Sequence, residues 1–147
     1  MALQLRDIFK GIWGRDNPRQ YWKEIIGEIK KSYPDFIFIA ESYWQKEGVL
    51  QQLGFDYTYD KYPLDILKRA VLNSDQRCYA QYISNIRELK SYIKRVPASY
   101  LNRSLHFLEN HDEERGINIF GEERIFGIFA LLKYLPCLLY TSPSPRD

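Results

Sequence analysis

Two carboxylates, Glu41 and Asp112, each follow a short apolar run of the sequence. Glu41 comes directly after "FIFIA" (36–40), and Asp112 comes four residues after "SLHFL" (104–108), within "HFLENHDEER". A pair of carboxylates suits chemistry in which one group transfers a proton and the other stabilises developing positive charge. The ordinary alternative is that Glu41 caps a helix or a turn and that Asp112 is the N-cap of whatever follows. The elements around them decide between these interpretations.

Three segments are predicted to be strands. The run 36–40 is apolar without alternation, which is typical of a strand buried in a parallel sheet. The segment 54–61, "GFDYTYDK", is a weaker candidate that opens with a glycine, and 104–108 is a third short strand. Two of the three run directly into polar clusters.

Helical patterns separate these strands. Asn17 and Pro18 predict a helix start, followed by apolar residues at helical spacing between Tyr21 and Ile29. The pattern from 63 to 94 is helical, with a break predicted at 73–75. The segment 121–135 predicts another helix, with acidic residues in its first turn.

Alternating strands and helices favour an α/β fold with a parallel sheet. In a (β/α)8 TIM barrel, functional side chains collect at the carboxyl ends of the strands. Such a barrel takes about 250 residues, so a chain of 147 residues is expected to form part of one.

Net charge, hydropathy and cysteine spacing argue against several classes of function. The net charge of +2 does not suggest a nucleic-acid partner, and no apolar stretch is long enough to predict a membrane span. Cys78 and Cys137 have neither metal-ligand spacing nor a disulfide framework. The beginning of the chain does not resemble a secretion signal, so localisation is unassigned, with the cytoplasm slightly favoured.

Four segments together resemble the α-amylase family, glycoside hydrolase family 13. "FLENHDEER" resembles the family's seventh-strand signature, and "FIFIAESYW" resembles the fifth-strand signature. "GFDYTYDK" and "FGEERIFGIFALLKYLP" resemble the sixth-strand region and the helix that follows strand seven. The resemblance implies roughly the second half of a TIM barrel, from about strand five to the approach to strand eight.

The resemblance also implies roles for single residues in a retaining glycosidase that acts on α-glucosidic bonds. Glu41 is expected to be the general acid/base and Asp112 the transition-state stabiliser. His111, Arg115 and Tyr43 are expected to bind an α-glucan or oligosaccharide substrate. No cofactor is implied, and calcium is left open for the complete protein.

One family feature is missing from the 147 residues. The nucleophile of the family is the Asp of a Gly-x-Arg-x-Asp signature, which this sequence does not contain. The segment "MALQLRDIFKGIWG" resembles the sequence that directly follows that nucleophile. We therefore expect the chain to be an inactive fragment of an active glycosidase.

The end of the chain is predicted to be foreign to the domain. Residues 137–147, "CLLYTSPSPRD", resemble the translation of a transposase adapter used in sequencing libraries. The predicted organisation is therefore a partial catalytic barrel over 1–136 and a non-native tail over 137–147.

Two alternatives stay open. A transglycosylase of the same family uses the same catalytic groups and differs in its acceptor. A non-enzymatic helical module for binding a protein or nucleic acid would use Arg87, Lys90, Lys94 and Arg95. Because Asp75 and Glu88 intermix with these cations, a solvated helix face is favoured over a binding module.

Overall fold

The computed structural model describes residues 6–15, 21–42, 46–75, 78–135 and 138–140. The chain divides into two compact units, 1–59 and 60–147. The first unit contains α1 (Arg6–Trp13), α2 (Tyr21–Ser32), β1 (Ile39–Ala40), α3 (Glu47–Gln52) and β2 (Tyr57–Tyr59). The second contains α4 (Tyr62–Asp75), α5 (Tyr79–Arg95), α6 (Ala98–Leu101), β3 (Ser104–Phe107), α7 (Gly116–Phe120), α8 (Glu122–Tyr134) and β4 (Leu138–Tyr140).

The first unit is built around two parallel strands and a small apolar core. Ile39 pairs with Tyr57 and Ala40 with Thr58. Burial of apolar side chains from α2, β1, α3 and the approach to β2 holds the unit together. The fully buried members of this core are Ile26, Ala40, Leu50 and Phe55.

Gly54 allows the chain to turn tightly against α2 before β2 begins. Its φ of +110° lies in the region that favours glycine, and an added Cβ would stand 3.0 Å from Cγ2 of Ile26. This close approach places Phe55 in the core, where its ring meets that of Trp22 edge-on at 5.2 Å.

The second unit contains the most deeply buried strand. All four residues of β3 are buried, and the strand pairs in parallel with β4, starting from Leu105 opposite Leu138. Helices α4 and α5 pack against each other, with the rings of Tyr62 and Tyr92 4.8 Å apart. Arg69 and Glu88 add a two-fold hydrogen bond between these helices at 2.9 and 3.0 Å.

The expected α/β character is confirmed, since parallel strands alternate with helices in both units. The strand predicted at 36–40 is shorter than expected. Asp56 accepts the N–H of Phe38 through its side chain, and the Phe38 carbonyl accepts two N–H groups, from Asp56 and Tyr57. The Phe38 N–H is thus bonded to a side chain and not to a neighbouring strand, and the paired strand begins at Ile39.

The prediction that this run is buried on both faces is wrong. Phe36, Ile37 and Ile39 are more than half exposed, whereas Ala40 packs into the core. Successive side chains of a strand point to opposite faces, and the core of the first unit covers the face of Ala40.

The helical region 63–94 is interrupted later than expected. Helix α4 continues through the predicted break at 73–75 and ends at Asp75. The cost of Asn73 and Ser74 in a helix is small compared with the burial of Leu67, Ala70 and Val71 earlier in α4. The predicted caps Asn17 and Pro18 lie outside the described residues.

No helix in the part of the chain that the structure describes is long and apolar enough to cross a membrane.

Candidate active site

Glu41 lies immediately after β1, at the carboxyl end of the parallel pair in the first unit. Its side chain is half-buried, and Ser42 beside it is buried. The Ser42 Oγ makes no hydrogen bond with any described residue. Tyr43, which is expected to bind substrate, lies outside the described residues.

Asp56 fixes the backbone that leads into Glu41. Its carboxylate accepts the Phe38 N–H at 2.8 Å and forms an ion pair with Lys30 of α2. Asp56 therefore connects α2 to the segment before β1. Local sequence patterns do not indicate this role of Asp56, because its partners are 18 and 26 residues away along the chain.

In the second unit, β3 ends at Phe107 and a tight turn follows. Asn110 is buried, and its Oδ1 accepts the backbone N–H of Asp112 at 3.0 Å. The Asn110 carbonyl accepts the N–H of Glu113 at 3.3 Å. The first bond is that of an Asx turn, for which Asn is a favoured residue, and the second closes a β-turn. Asn110 therefore sets the backbone of His111 and Asp112.

His111 and Asp112 are brought together at the tip of this turn. Nε2 of His111 is 3.6 Å from Oδ2 of Asp112, and the side chains are 69% and 60% exposed. Helix α7 begins at Gly116, with Arg115 in the capping position, so Asp112 does not serve as its N-cap. The capping alternative for Asp112 is therefore wrong.

Glu113 anchors the turn through two ion pairs. Its carboxylate is 10% exposed and forms ion pairs with both Lys61 and Lys68. Burial would raise the pKa of the Glu113 carboxyl, but the hydrogen bonds from the two lysines outweigh it and hold this pKa below its usual range. The hydrogen bond to Glu113 likewise raises the pKa of Lys61.

Arg115 is engaged within its own loop. Its Nη1 donates to Oε1 of Glu109 at 2.7 Å, and the second oxygen of Glu109 accepts the N–H of Gly116 at 2.7 Å. Glu109 thus closes the loop between β3 and α7. This arrangement gives Arg115 an organising role in the loop.

A buried polar network lies inside the second unit. Its members were not predicted from the sequence. Asp60 and His106 are both buried, and Nε2 of His106 is 3.1 Å from Oδ2 of Asp60. The hydroxyl of Tyr92 donates to the same carboxylate oxygen. Burial, followed by the negative charge of Asp60, raises the pKa of the Tyr92 hydroxyl above its usual range.

The site residues thus fall in different parts of the chain. His111, Asp112 and Arg115 belong to one loop of the second unit, and Glu41 belongs to the first unit. The expected approach of Glu41 to Asp112 therefore stays a prediction.

Comparison with known proteins identifies the family. A family model described as "Alpha amylase, catalytic domain" matches residues 9–143 of the 147, a range that contains both strand-end carboxylates. No curated protein and no solved structure matches the chain. The family is one of (β/α)8 barrels with glycosidase and related activities, and the alternation of helices with parallel strands agrees with part of such a barrel. The chain belongs to the α-amylase catalytic-domain family.

Proposed function

We propose that the chain is part of a retaining glycosidase that cleaves α-glucosidic bonds. One observation carries the proposal: a buried strand leads into a turn, fixed by Asn110, that exposes His111 and Asp112. Because the chain belongs to the α-amylase family, we interpret this turn as part of a glycosidase active site. The substrate is an α-glucan or a shorter α-linked oligosaccharide.

In this proposal the two carboxylates have different tasks. Glu41 protonates the leaving oxygen and later takes a proton from the attacking water. Asp112 carries the negative charge that stabilises an oxocarbenium-like transition state. His111 bonds to substrate hydroxyls next to Asp112, and Tyr43 offers its ring to a sugar. Arg115 holds the loop through Glu109.

The 147-residue polypeptide is proposed to be inactive. A retaining mechanism needs a carboxylate nucleophile that forms a covalent glycosyl intermediate. The sequence contains no Gly-x-Arg-x-Asp to supply one. We therefore expect the purified polypeptide to release no reducing sugar from maltoheptaose above a buffer control. Hydrolysis that disappears in the Glu41→Gln variant would contradict this proposal.

A chimeric barrel tests the assigned roles. Residues 1–136 would be fused behind the first half of an active barrel of this family, which supplies the nucleophile. We expect hydrolysis of maltoheptaose with an α-anomeric first product, detected by proton NMR. Because general acid–base groups contribute about 10²–10⁴-fold, Glu41→Gln should lower the rate by that factor, and Asp112→Asn should lower it about 10²-fold or more.

Matched controls are available in both units. Glu24→Gln and Asp75→Asn each remove one exposed carboxylate and should leave the rate unchanged. A chimera that melts cooperatively but is no more active than its first half alone would contradict the proposed function. A product mixture dominated by longer maltooligosaccharides would instead identify a transglycosylase.

A further inference from the structure

The outer face of α5 carries a cluster of cations around an open cavity of about 410 Å³. Its lining residues are Arg87, Lys90, Ser91, Lys94 and Arg95. Their spacing of three, four, seven and eight residues from Arg87 places them on one face of the helix. All five are exposed. These five residues form the basic face of α5.

The charge of the basic face is not neutralised within the described part of the chain. None of its four cations forms an ion pair with a described carboxylate. The neighbouring acid, Glu88, is held by two bonds from Arg69 and one from the Tyr62 hydroxyl at 2.8 Å. Glu88 is therefore paired with residues of α4, and its side chain stays partly exposed beside the basic face.

The concentration of positive charge is local. The chain as a whole carries only +2, so the residues outside the basic face sum to a negative charge. Four cations within about two turns of one helix, over a length of about 12 Å, form a distinct field. An anion approaching this face meets arginine forks at both ends and lysine ammonium groups between them.

The boundaries of the basic face favour a compact ligand over an extended one. On its N-terminal side α5 presents the exposed apolar residues Tyr79, Ile83 and Ile86. On its C-terminal side, 96–99 are uncharged. A long polyanion would extend beyond the cations after one or two of its repeating units. The open cavity of about 410 Å³ is lined by about two turns of this one helix, a length that suits a compact ligand.

We infer that the basic face binds a small oligophosphate, a ligand with two or three linked phosphate groups. Phosphate oxygens accept charge-assisted hydrogen bonds from arginine and lysine, and linked phosphates present several such oxygens at once. The Ser91 hydroxyl provides one further donor. This inference does not rest on the proposed glycosidase function.

Calorimetric titration of the 147-residue chain with sodium tripolyphosphate tests the inference. We expect saturable 1:1 binding, and binding of orthophosphate that is about tenfold weaker or more at equal ionic strength, because fewer charge-assisted bonds form. Backbone amide shifts in a ¹⁵N–¹H NMR titration should change first within 87–95. Absence of saturable binding, or shifts confined to other residues, would overturn the inference without touching the glycosidase proposal.

Charge-matched variants separate this site from general attraction. The double change Lys90→Gln with Lys94→Gln should weaken tripolyphosphate binding by about tenfold or more. Lys23→Gln with Lys133→Gln removes the same charge from exposed lysines elsewhere and should leave binding within about twofold, since distant surface charges are screened. Lys90→Arg with Lys94→Arg should restore it.

Equal losses in the two glutamine variants would show a general charge effect and overturn the inference. Binding of a single-stranded oligonucleotide, and of vesicles with anionic lipid, is measured in the same way. Binding of either one at least as tight as that of tripolyphosphate, at the same ionic strength, would assign the basic face to that partner and overturn the inference of a compact ligand.

Discussion

The buried side chain of Asp60 makes three polar contacts inside the second unit. Its carboxylate accepts the Tyr62 N–H at 3.2 Å and the Tyr92 hydroxyl, and it lies 3.1 Å from Nε2 of His106. Asp60 also donates its own N–H to the carbonyl of Leu105 on β3. The residue therefore connects the start of α4 with the middle of β3 and the last turn of α5.

Removing this carboxylate should destabilise the chain strongly. Asp60→Ala leaves the Tyr92 hydroxyl and the His106 ring buried without their shared acceptor, and each such loss costs about 1–3 kcal/mol. We expect the free energy of unfolding, from urea titration followed by circular dichroism, to fall by about 3 kcal/mol.

Asp75→Ala is the matched control for this change. It breaks an exposed ion pair with Arg124 and should cost less than about 1 kcal/mol. Equal effects of the two substitutions would contradict the importance of the buried network.

At the scale of elements, the turn after β3 depends on charges supplied by α4 and the residue before it. Lys61 and Lys68 hold Glu113, one residue beyond Asp112. The pKa of Glu113 is lowered in the folded state, so its ionised form stabilises the fold. This contribution is present above the unfolded carboxyl pKa of about 4.3 and is lost as the pH falls through the folded value.

The Glu113→Gln variant should therefore respond less to acid than the parent chain. We expect the difference in unfolding free energy between the two proteins to be constant from pH 7 to about pH 5, and to shrink as the pH falls below about 4.3. Urea titrations at a series of pH values measure this difference. A difference that is independent of pH would mean that the ion pairs of Glu113 do not stabilise the turn.

In the first unit, the turn between α3 and β2 depends on Gly54. Gly54→Ala forces a side chain into a positive φ and against Ile26, and we expect a loss of about 1–3 kcal/mol. Gly27→Ala, in the middle of α2 with no atom near its added Cβ, should instead stabilise by up to about 1 kcal/mol. Thermal melts of the two variants should therefore shift in opposite directions.

At the scale of the whole molecule, the predicted tail over 137–147 contains β4. Its pairing with β3 involves three residues. The net gain of about 0.5–1.5 kcal/mol for each hydrogen bond is similar to the entropy cost of ordering a residue, about 1–2 kcal/mol. We therefore expect deletion of 137–147 to change the melting temperature by less than about 4 °C.

A larger loss would indicate that this segment belongs to the fold. Loss of the cooperative transition in the truncated chain would contradict the domain boundary predicted at residue 136. A further truncation that also removes α8 is expected to abolish the transition, because Leu132 of that helix is fully buried. It provides a positive control for the assay.

The sequence by itself determined the features that depend on neighbouring residues. The existence of the strand β3, the helix after Gly121, and the positions of Glu41 and Asp112 beyond apolar runs all follow from local patterns. The family also follows from short motifs, and the family model confirms it over 9–143. A local pattern suffices here because hydrophobic periodicity and motif spacing are properties of contiguous residues.

Only the tertiary structure decided which distant side chains meet. The contacts of Asp60 with His106 and of Lys68 with Glu113 span 46 and 45 residues. Likewise, the partner of Glu88 is Arg69 of another helix, a pairing that follows only from the packing of α4 against α5. Such pairings depend on the packing of whole elements, which sets the partner of each charge and leaves no periodic trace in the sequence.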